Sequence, residues 1–145
     1  MLKYVEKSVE GEVYIMRNIY FIERYQFVHN DELHLSLNEN QNRIQIQPAG
    51  QVLTDSDHLA FIYLVEEAGE YSYLYLPEDL WPALVRVLKA EKNPFLILNE
   101  QKIELENFIE ELTMLLFNIE GNENYGKTFV EAVETAFSEI LKEEA

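Results

Sequence analysis

The sequence predicts a single α+β domain: a largely antiparallel sheet with about three helices, two of them C-terminal. Three observations carry this. The first half alternates apolar and polar residues with the period of strands, and the last third carries two apolar stripes at helical spacing. In addition, 145 residues with no repeat and no low-complexity linker fit one domain. At this length a chain buries about 68–70% of its unfolded surface, so a core forms without disulfides or metals.

Residues 1–15 stand apart. Their Val5, Val9, Val13 and Ile15 sustain no period. Gly11-Glu12-Val13 can be encoded with a GAGGT ribosome-binding core just before the Met16 codon. Two readings stand: a translated leader, or a flexible or strand-forming N-terminus. Residues 16–145 form the domain.

Strand character begins at Ile19–Ile22 and continues through Tyr25–Val28, and His29–Glu32 supply a turn. Leu33, Leu35 and Leu37 alternate with His34 and Ser36, as in a half-buried strand. Asn38–Asn42 reads as a polar turn. Ile44 and Ile46 start another strand, which Pro48 and Gly50 break. His58–Glu66 and Glu70–Leu76 form the clearest hairpin, linked by Glu67-Ala68-Gly69. Phe61, Tyr63 and Val65 share one face and Ala60, Ile62 and Leu64 the other, so both faces are expected to be covered.

Pro77-Glu78-Asp79 opens a helix with proline and carboxylates in the first turn, and Asn93-Pro94 ends it. Phe95–Leu98 and Lys102–Leu105 are short strands about the Asn99–Gln101 turn. Phe108, Ile109, Leu112, Leu115, Leu116 and Ile119 make an amphipathic helix, with Gly121 at its C′ position. Thr128-Phe129-Val130-Glu131 reads as a capping box. It starts a last helix with apolar residues from Phe129 to Leu141.

Composition limits function. With 27 acidic and 11 basic side chains the net charge is -16. Such a charge opposes the counterion release that drives nucleic-acid binding, and it disfavours anionic membrane surfaces. No cysteine is present, which removes disulfides, thiolate metal sites and cysteine nucleophiles. The longest apolar run, Leu59–Val65, falls short of a membrane span. The N-terminus lacks the apolar core of a signal peptide. A cytoplasmic setting is expected, with a protein partner or self-association rather than nucleic acid or membrane.

Two segments could carry chemistry. Gly121-Asn122-Glu123-Asn124-Tyr125-Gly126-Lys127-Thr128 fits GxxxxGK[ST], in which backbone amides cradle phosphates, the lysine (Lys127) pairs with them and the hydroxyl (Thr128) binds Mg²⁺. A P-loop must follow a buried strand, and residues 108–119 are helical in period. Turn chemistry accounts for both glycines. The second segment is Thr54-Asp55-Ser56-Asp57-His58, where two carboxylates and an imidazole suit a hard or borderline metal, or the polarisation of Ser56 or a water. His29 and His34 are candidate additions. A polar turn with Asx bonding is the plainer account. Adjacent acids such as Glu66-Glu67, Glu78-Asp79 and Glu110-Glu111 are expected by chance among so many. The Tyr71, Tyr73, Tyr75 row has no basic groove beside it and reads as core or as a protein contact.

Asp55-Ser-Asp57, Tyr71-Ser-Tyr73-Leu-Tyr75 and Gly121-Asn-Glu-Asn-Tyr-Gly-Lys127 together resemble a small protein family of Bacillus- and Staphylococcus-type bacteria with no assigned function. The resemblance runs from about Met16 to Phe137 and is strongest at Gln51–Phe61 and Glu104–Phe137. It implies a bacterial cytosolic setting and brings no cofactor, metal or catalytic residue.

The expected function is a non-enzymatic protein-interaction or regulatory module. Its ligand or partner surface would draw on Asp55, Asp57, His58, Asn122, Asn124, Tyr125 and Lys127. The alternatives are phosphate or nucleotide binding at Gly121–Thr128, and a metal-dependent hydrolase centred on Asp55, Asp57 and His58.

Overall fold

The computed structural model describes residues 2–7, 14–37 and 44–143. The strands are β1 (Leu2–Lys7), β2 (Tyr14–Val28), β3 (Glu32–Leu37), β4 (Gln47–Asp55), β5 (Ala60–Glu67), β6 (Glu70–Pro77), β7 (Phe95–Leu98) and β8 (Gln101–Glu104). The helices are α1 (Trp81–Ala90), α2 (Phe108–Ile119), α3 (Lys127–Ala136) and α4 (Ser138–Glu143). The sheet order is β4-β5-β6-β2-β3-β7-β8, and β1 pairs with β2.

The class is α+β, but the sheet is mixed rather than largely antiparallel. β2 lies parallel to β6 from Ile19 opposite Tyr73 to Phe21 opposite Tyr75. β3 lies parallel to β7 from His34 opposite Phe95 to Ser36 opposite Ile97. Hairpin signals report only strands adjacent in sequence, and these two pairings join strands far apart along the chain. Four helices replace about three. The final apolar stripe breaks at Phe137, whose backbone (φ -108, ψ 23) caps α3.

Part of the N-terminal segment pairs: β1 runs antiparallel to β2, from Leu2 opposite Ile19 to Lys7 opposite Tyr14. The rest of that segment, outside β1 and β2, and the Asn38–Asn42 turn lie outside the described residues.

Pro48 and Gly50 do not end a strand. They lie inside β4, where the register with β5 shifts between Pro48 and Val52. Gly50 takes φ +73 at this irregularity, a conformation costly for any residue with a Cβ. Ile44 and Ile46 are buried but precede the strand. The β5–β6 hairpin has a two-residue turn, Ala68-Gly69, with both φ positive as a type I′ turn demands.

β5 is buried on both faces, as its two apolar rows imply. Phe61, Tyr63 and Val65 join the main core, while Ala60, Ile62 and Leu64 lie buried outside it. The helices pack on the first face. Phe61 sits 5.4 Å from Trp81, 5.8 Å from Phe129 and 6.0 Å from Phe137, measured between ring centroids. One aromatic cluster thus joins β5, α1, α3 and the α3–α4 break. Tyr63 meets Phe108 of α2 at 6.0 Å. On the other face Phe21 and Tyr75 pack with their rings tilted, centroids 5.3 Å apart.

α2 also guards the edge strand β4. Glu111 Oε1 accepts from the Val52 amide at 3.3 Å. The buried Tyr63 hydroxyl accepts from the Gly50 amide at 3.2 Å and donates to the Glu106 carbonyl at 2.7 Å. These bonds satisfy backbone groups that an open edge would leave exposed for strand pairing. Burial pushes the Tyr63 hydroxyl far above the ordinary phenol range, so it remains a donor.

Candidate functional surfaces

The Asp55 turn is ordered from β4 outward. The strand ends at Asp55, Ser56–His58 form one 3-10 turn, and Leu59 at φ +50 reverses the chain into β5. His58 Nδ1 lies 3.0 and 2.9 Å from the two Asp55 oxygens, and the Tyr75 hydroxyl donates to Asp55 Oδ2 at 3.2 Å. The carboxylate therefore orients the imidazole and leaves Nε2 toward solvent. A cavity of about 160 Å³ beside it is lined by Ile19, Leu53, Thr54, Ile62 and Tyr73 as well as Asp55 and Tyr75.

Among the described residues, the other candidates of this group lie apart from the Asp55–His58 pair. Asp57 is exposed and outside the Asp55–His58 pairing. His34 bonds Glu32 at 2.6 Å on β3, four strands away in the sheet order, and His29 occupies the β2–β3 turn. Among the described residues, no group of three His, Asp or Glu side chains is placed to hold a metal ion.

The segment that fits the P-loop expression follows a helix. α2 runs to Ile119 and Gly121 takes φ +68 after it, the C′ geometry its position implies. The Gly121 amide, which would face a phosphate, donates instead to Glu134 Oε2 at 2.8 Å. Asn122 caps a short turn by accepting from the Asn124 amide at 3.1 Å, and its Nδ2 donates to the Asn118 carbonyl at 3.3 Å. Tyr125 packs toward Phe129 at 6.5 Å. The capping box is corrected too: Gly126, not Thr128, is the N-cap of α3, and Thr128 is exposed in its first turn. Lys127 lines a surface cavity of about 370 Å³ with Gly121, Glu123, Val130, Glu131 and Glu134, surroundings that repel a phosphate.

The two segments do not share a site. Asp55 lies with Tyr75 on the sheet face away from the helices, whereas Tyr125 and Phe129 lie on the helix side. Their cavities share no lining residue.

A family model described as "Family of unknown function (UPF0738)" matches residues 21–137. The chain belongs to the UPF0738 family. The UPF0738 protein of Lysinibacillus sphaericus (strain C3-41) is 50% identical over 128 residues, spanning 88% of this chain and 100% of that protein. The UPF0738 protein YjbL of Bacillus subtilis (strain 168) is 39% identical over 74% of this chain and 88% of its own length. A UPF0738 protein of Staphylococcus epidermidis (strain ATCC 12228 / FDA PCI 1200) is 42% identical over 63% of this chain and 76% of its own. No solved structure matches the chain.

Two features of this UPF0738 chain escape the sequence reading. The first is Glu67, whose carboxylate accepts from Tyr20 at 2.6 Å, Asn18 at 2.8 Å and Ser72 at 2.8 Å. Burial raises its pKa, but these three donors outweigh burial and hold the carboxyl below its ordinary value of 4.5. No spacing in the sequence announces a cluster drawn from three strands. The second is the outer side of α2. Met114 is 52% and Phe117 37% exposed, while Phe108, Leu112, Leu116 and Ile119 are buried. Here a signal existed: Met114 and Phe117 are the apolar residues of α2 that fall off its stripe. Among the described residues no helix is long and apolar enough to cross a membrane.

Proposed function

We propose that this protein is a non-enzymatic, cytoplasmic protein-interaction module that binds its partner through the outer side of α2 and the Asn122–Lys127 segment that follows. The supporting observation is the exposed Met114–Phe117 pair. Side chains three positions apart on a helix are neighbours on its surface, so Met114 and Phe117 offer adjacent apolar area for a partner to cover. Asn122, Asn124, Tyr125 and Lys127 follow the helix end in sequence and are assigned to the same contact in this reading. Asp55, Asp57 and His58 lie across the sheet and take no part in this contact.

The test compares tagged wild-type protein with Met114→Ser/Phe117→Ser, each expressed at native level and recovered from cells. A stoichiometric co-purifying protein that the double variant fails to retain supports the reading. Equal retention by both forms contradicts it. Met114 is about half exposed and Phe117 about one third, so the melting temperature of the variant is measured beside the wild type and retention is compared where both are folded.

A further inference from the structure

We infer that the α2 surface receives a basic segment of a protein partner, one that sets apolar side chains on Met114 and Phe117 and places a lysine or arginine in the acidic groove at the end of the helix. The inference rests on the protein-interaction reading and adds the chemistry of the partner.

Two features belong to the C-terminal half of α2 and the chain just after it. Met114 and Phe117 are partly exposed, and Gly121, four positions after Phe117, lines the groove. Glu123, Glu131 and Glu134 line that groove beside a single Lys127, with Val130 as an apolar wall. Glu134 spends one oxygen on the Gly121 amide, and its second oxygen and the other two carboxylates remain acceptors.

Charge decides the occupant. No Lys or Arg occurs between Lys102 and Lys127, while Glu104, Glu106, Glu110, Glu111, Glu120 and Glu123 all fall in that stretch. Glu110 and Glu120 are exposed on either side of the Met114–Phe117 pair. A second copy of this chain would bring the same acids against these, and like charges in apposition oppose docking. A lysine or arginine carries an aliphatic stem and a charged head, which suits an apolar wall rimmed by carboxylates.

The test titrates the full chain with three synthetic probes: a leucine–lysine peptide of amphipathic helical period, its leucine–glutamate twin, and oligolysine. The leucine–lysine peptide is expected to bind at least about tenfold tighter than either of the others, as a contact using both apolar anchors and charge requires. Met114→Ser/Phe117→Ser and Glu123→Lys/Glu131→Lys should each weaken it by about tenfold. A reversal of equal size at the β5–β6 turn, Glu66→Lys/Glu70→Lys, should leave it within about twofold, since screened distant charges contribute little. Equal weakening by that control would assign the attraction to net charge and overturn the inference. So would comparable binding of oligolysine or of the glutamate peptide. Sedimentation showing a dimer that Met114→Ser/Phe117→Ser dissolves would give the surface to a second copy instead. If the cellular partner is lost with Met114→Ser/Phe117→Ser yet retained by Glu123→Lys/Glu131→Lys, the interaction reading stands and the basic segment falls.

Discussion

Trp81 is fully buried and touches Phe61, Phe129 and Phe137 at ring separations of 5.4, 6.2 and 5.5 Å. Trp81→Ala is expected to cost about 3–5 kcal/mol, through lost apolar contact and the cavity left behind, read as a fall in the urea midpoint. Tyr63 is a subtler case. Tyr63→Phe keeps the ring and strands the Gly50 amide and the Glu106 carbonyl, at an expected cost of about 1–3 kcal/mol. Glu67 ties stability to acidity. Because its folded pKa is depressed below the ordinary 4.5, its stabilising contribution is whole above that ordinary value and is lost as pH falls through the lower folded value. The gap in melting temperature between wild type and Glu67→Gln should therefore narrow on acidification below that point. A gap unchanged by pH would show that the three donors do not favour the charged form. These partnerships were not legible in the sequence, because they depend on how strands and helices pack together in three dimensions.

α2 was the most legible element, because its apolar stripe alone fixes both the helix and its buried face. The same stripe disposes of the nucleotide site by putting a helix where a P-loop needs a strand. Titration with ATP or GTP and Mg²⁺ is accordingly expected to show no saturable binding at sub-millimolar concentration, and micromolar affinity lost on Lys127→Ala would contradict that. β4 was illegible for a local reason. Pro48 and Gly50 usually end strands, yet an edge strand tolerates a missing amide hydrogen, and an irregular register accepts a positive φ. Gly50→Ala puts a Cβ at φ +73 and 2.9 Å from Asn107 Nδ2. It should destabilise the protein by at least about 1 kcal/mol, measured by chemical denaturation. The apolar stripe from Phe129 to Leu141 also concealed the Phe137 break, since periodicity persists across a bend that keeps the same residues inward.

For the whole molecule, the sequence separated an α+β class from its sheet order. Alternation identifies strands and their faces, but the parallel pairings β2–β6 and β3–β7 depend on long-range packing that no local pattern records. The helices cover one face of the sheet, and the candidate residues divide between its two sides. Asp55 and His58 pair with each other on the face away from the described helices, and the Asn122–Lys127 segment follows the end of α2. A net charge of -16 sets the field in which any partner arrives and favours encounter with basic surfaces. We propose the Met114–Phe117 surface as the place where such a partner docks. Photo-crosslinking in living cells tests it most directly, with a benzoylphenylalanine placed at position 117 and, as a control, at position 91 beyond α1. One discrete adduct with another protein is expected at 117 and none at 91. No adduct at 117, the same adducts at both positions, or an adduct of two copies of this chain would contradict it.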